Sequence, residues 1–223
     1  MAQLANFLPV RKIGNSRRAL TGRVRAGEGG VLNFESSLER DWLMVLDFST
    51  DVIAVREQPF TITYEWEGGT RKYTPDMLAE HVTKSGVPAV VIYEVKYHDE
   101  LRTKWDELKP RFKALMTYCR SRGWRFKIVT ERQIRTPFLQ NAKFLRRYRA
   151  IDSNVSVRLQ LLYTFKALGE TTPEALLTAA YWDEDTRLRA IPQLWKLVAE
   201  RKVLTDLADP LTMSSCIWVN SHA

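Results

Sequence analysis

The sequence predicts an α/β protein in which a mixed central sheet with flanking helices precedes a small domain of three helices and a β-hairpin. Three observations lead there. The run AVVIYEVKY (89–97) is short, β-branched and aromatic, and it follows the breakers Gly86-Val87-Pro88, as a buried central strand should. After it, Trp105, Leu108, Phe112, Leu115, Met116 and Cys119 recur at helical spacing, Gly123 stands at the C-cap, and WRFKIVTE returns as a second strand. Strand, crossover helix and strand make a βαβ unit. Near 149–154 the composition then changes, and helical patterns replace strands.

Taken in order, residues 1–33 read as a flexible basic arm, with Arg11, Lys12, Arg17, Arg18, Arg23 and Arg25 among glycines and small residues. Asn33 or Ser36 can cap a first helix over 34–47, where Leu38, Trp42, Val45 and Leu46 keep helical spacing. From Val52 to Val82 the pattern is of strand segments, with the pair Gly68-Gly69 turning one back beside the next. The sheet and its helices fill a domain over 34–150. The remainder, 151–223, offers helices near 155–168, from Thr172-Pro173, and from Pro192 in a first turn to about Lys202. Two apolar stretches, VLTDL and SSCIWVN, complete a winged-helix-like domain.

Composition narrows the function classes. With 45% hydrophobic, 27% charged and 11% aromatic residues in 223, the chain has the balance of a soluble globular protein. No apolar run approaches the roughly 18 residues of a bilayer span, and the N-terminus lacks a signal-peptide pattern, so no membrane partner and a cytoplasmic location are expected. Cys119 and Cys216 stand far apart, and three histidines give little support to a structural zinc site. The formal charge of +8 is uneven: 27 Lys and Arg face 17 Asp and Glu in 1–150, against 7 and 9 in 151–223. A nucleic-acid footprint is expected on the basic part, since phosphate contacts supply most sequence-independent affinity. The second part is better suited to protein.

The string that carries chemistry is Pro75-Asp76, seventeen residues, then Glu94-Val95-Lys96. It matches the PD-(D/E)XK signature of restriction-endonuclease-like nucleases without a substitution. Glu94 and Lys96 lie two apart on one strand, so both leave the same face, which Asp76 can reach from a neighbouring strand. Two carboxylates and the Val95 carbonyl suit a hard divalent cation, Mg2+ with Mn2+ able to substitute, while Lys96 can position the attacking water. Glu and Lys are disfavoured on a strand covered on both faces unless they are paired or functional. An ordinary charged strand face is the competing account.

The segments FESSLERDWLMVLDF, VREQPFTITY, YTPD, YEVKY and ERQIRTPFLQNAKFL resemble the TnsA family of transposon-end endonucleases. The resemblance implies a nuclease domain followed by a winged-helix-like one, and an active site of Glu39, Asp76, Glu94 and Lys96. Glu35, one turn before Glu39, can take the same role. The resemblance further implies nicking of the 5′ strands of double-stranded transposon ends, a DDE-type transposase that cuts the 3′ strands, and an AAA+ ATPase regulator meeting the C-terminal domain. Arg56, in the family-like stretch Arg56-Glu57-Gln58-Pro59, either contacts DNA backbone or pairs with an acid of the fold. A stand-alone restriction or repair nuclease, and a non-catalytic winged-helix DNA-binding protein, are the alternatives.

Overall fold

The computed structural model describes residues 22–25, 31–34, 36–83 and 86–219, in two compact units, Met1–Arg135 and Thr136–Ala223. In the first, β1 (Gly22–Arg25) and β2 (Val31–Phe34) pair antiparallel, so part of the segment read as a flexible arm is a hairpin. Helix α1 (Ser37–Phe48) begins where the Ser36 hydroxyl accepts the Glu39 N–H at 3.1 Å. Strands β3 (Val52–Glu57), β4 (Ile62–Trp66), β5 (Gly69–Tyr73), β6 (Met77–Val82) and β7 (Pro88–Val95) follow. Then come α2 (His98–Thr103), α3 (Trp105–Arg120), β8 (Arg125–Val129) and α4 (Glu131–Ile134). The β4–β5 hairpin turns through Glu67 and Gly68, at φ of 49° and 74°. Its two-residue loop is thus one position earlier than Gly68-Gly69, with β5 already starting at Gly69.

The sheet order is β3-β6-β7-β8, with β7 and β8 parallel and the other pairs antiparallel. This is a mixed sheet with helices on both faces, consistent with a nuclease fold. Register sets what each face buries. Leu78 pairs with Ile92, and both join Leu108, Phe112, Leu115 and Cys119 of α3 in one core that also takes in Phe60, Ile62 and Tyr73. On the opposite face Met77 pairs with Tyr93, whose ring meets Trp42 of α1 edge-on at 5.0 Å. Each fully buried leucine contributes about 2 kcal/mol, so these two layers fix which way β7 faces.

The second unit contains α5 (Pro137–Arg149), α6 (Val155–Leu168), α7 (Pro173–Ala180), α8 (Glu184–Ala199) and the antiparallel pair β9 (Val203–Thr205) and β10 (Ile217–Val219). It starts before residue 151 because α5 packs along α8, with Phe144 edge-on to Trp195 at 5.4 Å and the Arg149 Nε donating to the Ala199 carbonyl at 3.2 Å. The expected helix start at Pro192 is corrected: α8 begins eight residues earlier, and Pro192 lies inside it. Asp183 caps it by accepting the Thr186 N–H at 2.8 Å, and Glu184 and Asp185 favour the positive end of its dipole. The basic side chain of Lys196 is buried, donating to the Arg149 carbonyl at 3.0 Å. No described helix is long and apolar enough to cross a membrane.

Candidate active site

Asp76 occupies the bend just before β6. Its backbone is held from the end of β3, where the Gln58 N–H donates to the Asp76 carbonyl at 2.8 Å. Gln58 reaches that bond at a φ of 42°, a left-handed conformation that costs an L residue about 1 kcal/mol. Within the stretch Arg56-Glu57-Gln58-Pro59, Gln58 thereby helps to fix the approach of Asp76. Glu94 is the penultimate residue of β7, on the same face as Ile92, and only 1% exposed. Lys96 lies just past β7, where its N–H donates to the Val129 carbonyl at 3.1 Å and carries the parallel ladder one step further.

These elements bring Asp76, Glu94, Val95 and Lys96 together. The Asp76 Oδ2 accepts the Val95 N–H at 2.7 Å and the Lys96 ammonium at 3.3 Å. The same ammonium is 3.0 Å from Glu94 Oε1 and 3.0 Å from the Val95 carbonyl. Burial works against its charge, but Asp76 and Glu94 outweigh burial and hold the Lys96 pKa above the ordinary lysine range. Glu94 is pushed up from the usual carboxylate range by burial and by Asp76, against the pull of Lys96 and Tyr73. Two carboxylate oxygens and a carbonyl oxygen thus converge on a cation. That donor set is all hard oxygen, the kind of ligand a divalent ion of the magnesium class takes.

Two side chains absent from the expected site belong to it. Tyr73, at the end of β5, donates its hydroxyl to Glu94 Oε2. Burial, then Glu94, raises the phenol pKa, so it stays protonated and serves as a donor. Arg111 of α3 lies over the Tyr73 ring, its Cζ 5.2 Å from the centroid. Beside them the Tyr97 hydroxyl is 3.3 Å from Ser37 Oγ and accepts from Arg135 at 3.1 Å, joining the start of α1 to the segment after Lys96.

Glu39 lies in the first turn of α1, where its carboxylate accepts the Ser36 hydroxyl at 3.0 Å. Among the described residues no three His, Cys, Asp or Glu side chains converge to hold a metal ion, so Glu39 does not complete a three-acid cluster with Asp76 and Glu94 here. Arg56 is half-buried on β3. Arg23 and Arg25 fall on β1, while Arg11, Lys12, Arg17, Arg18 and Glu35 lie outside the described residues.

A mixed sheet whose adjoining strands deliver an aspartate, a buried glutamate and a lysine to one point, with a parallel crossover behind them, has the arrangement of a nuclease core. Residues 49–131 match the family model described as the TnsA-like endonuclease N terminal, and this part of the chain is therefore similar to a TnsA-like endonuclease domain. The match is less than half of the chain; it takes in Tyr73, Asp76, Glu94, Lys96 and Arg111 and leaves out Glu39 and the second unit. No curated protein matches the chain.

Proposed function

We propose that this protein is the endonuclease that nicks the 5′ strands at transposon ends, working beside a DDE-type transposase and under an AAA+ ATPase regulator. The observation that carries the reading is the convergence of Asp76, Glu94 and the Val95 carbonyl on the Lys96 ammonium. Asp76, Glu94 and that carbonyl are the groups that would hold Mg2+, with Glu39 as a further acid on α1. Bound there, the ion would supply charge neutralisation at the scissile phosphate. Lys96, once drawn toward the phosphate, positions the attacking water. Tyr73 keeps Glu94 aimed at the site.

The basic residues Arg11, Lys12, Arg17, Arg18, Arg23, Arg25 and Arg56 track DNA backbone in this reading. The second unit, read as winged-helix-like, meets the regulator. Its helix α8 buries Lys196 and Trp195, which supports a packing role for that half of the helix over groove reading.

The test is strand-resolved cleavage of a duplex transposon end by the full chain with its transposase, in Mg2+, Mn2+ or EDTA. Cutting of the 5′ strand that needs both the divalent ion and the transposase, and is lost in Lys96→Ala, is expected. Efficient cutting by the chain alone would make it a stand-alone nuclease. A Lys96→Ala protein that cuts normally would remove Lys96 from the chemistry.

A further inference from the structure

We propose that Arg111 binds a backbone phosphate of the DNA next to the one being cut; this rests on the nuclease reading above. The guanidinium of Arg111 lies over two rings of the site wall, 5.2 Å from the Tyr73 centroid and 5.5 Å from that of Phe112. Tyr73 in turn donates to Glu94. The positive charge of Arg111 is felt at the Tyr73 hydroxyl, alongside the negative charges of Glu94 and Asp76. Arg111 is therefore one side chain away from the catalytic cluster.

Its partners are what single it out. Arg135 pairs with Asp41 and Arg158 with Glu200, but Arg111 has no carboxylate among the described residues. Its Nε is buried without a hydrogen-bond partner. Arg187 also has an unpartnered Nε, yet it belongs to the other unit. A half-buried guanidinium with an unused donor is suited to an anion, and stacking on Tyr73 and Phe112 satisfies no N–H. A phosphate matches Arg111 in both charge and shape, because the planar fork donates two parallel bonds to phosphate oxygens. Contact with the two rings restrains the guanidinium before the DNA arrives.

The competing account is a purely structural arginine that steadies Tyr73, and charge separates the two. Binding of the full-length protein to a short duplex of arbitrary sequence, in EDTA and at several salt concentrations, gives the slope of log K against log salt. Arg111→Gln keeps a planar polar group over Tyr73 but loses the charge, so its slope should be shallower by about 0.9, the value for one phosphate contact. Arg111→Lys should keep the wild-type slope while cutting more slowly, for want of the fork. An unchanged slope in Arg111→Gln, or equal slopes in Arg111→Lys and Arg111→Gln, overturns the proposal. Cutting in Mg2+ by the wild-type chain with its transposase reports separately on the nuclease reading: no cutting there would end that reading, while the salt slopes of the Arg111 variants would still decide the phosphate contact.

Discussion

Replacing Asp76 by alanine should cost stability as well as activity, because its carboxylate is also a fold element. The Oδ2 atom accepts the backbone N–H of Val95 at 2.7 Å, in a residue only 3% exposed, and shares the Lys96 ammonium at 3.3 Å. A hydrogen bond to a charged group contributes roughly 1.5–3 kcal/mol, and a buried N–H left without an acceptor costs about 1–3 kcal/mol. Lys96 keeps Glu94 and the Val95 carbonyl, so its own loss is small. Asp76→Ala should therefore destabilise the first unit by about 2–4 kcal/mol, a large part of the stability of a typical domain. Asp76→Asn retains an acceptor for the Val95 N–H and should lose only about 1 kcal/mol while abolishing cleavage. Urea unfolding of both variants, beside strand-resolved cleavage, gives the comparison. If Asp76→Ala unfolds at the wild-type urea concentration, the carboxylate does not hold Val95 and the reasoning fails; if Asp76→Asn cuts normally, Asp76 is not in the active site.

Tyr73→Phe removes the donor to Glu94 and should lower stability by about 1–3 kcal/mol, with cleavage falling further than the small change in shape would suggest; wild-type values for both would discard the bond. At position 58 the comparison of Gln58→Gly with Gln58→Ala isolates the φ of 42°, and the glycine variant should be more stable by about 1 kcal/mol in thermal unfolding. Deleting residues 1–21 takes away Arg11, Lys12, Arg17 and Arg18 but leaves β1 paired, and the salt slope of DNA binding should flatten by up to about 3.6. No flattening would make the segment a passive tether. The fragment 136–223 has its own core and should fold alone and capture the AAA+ regulator in a pull-down, with little affinity for duplex at physiological salt; tight duplex binding without the regulator would reverse that assignment.

What the sequence reveals follows from the range of each signal. The strand 89–95 is legible because its residues other than Glu94 are apolar or aromatic on both faces and sit behind Gly86 and Pro88, and the spacing of Asp76, Glu94 and Lys96 is local to two adjoining strands. Tyr73 and Arg111 give no such signal. Their roles come from contacts with residues 21 and 38 positions apart along the chain, Glu94 and Tyr73, which only the packing of β5 and α3 creates. Helix α8 departs from its expected start for a definite reason. Pro192 suits a first turn, yet inside a helix it removes one bond, to the carbonyl of Leu188, a residue 56% exposed, where water can replace it. The start signal is Asp183, whose two acidic neighbours look equally like a surface patch. Thr136-Pro137 is a second start signal of the same kind, that of α5, hidden behind the basic run that follows it.

The position of Lys96 also bears on the order in which the site meets its reactants. Two bare carboxylates would repel an incoming phosphodiester, by about 4 kcal/mol for unit charges about 4 Å apart near a protein surface. The single ammonium already seated between Asp76 and Glu94 offsets part of that repulsion before DNA arrives. The resting site thus repels a duplex less than two bare carboxylates would, before any divalent ion binds. Under the proposed nuclease reading, docking of DNA and its cutting become separable events.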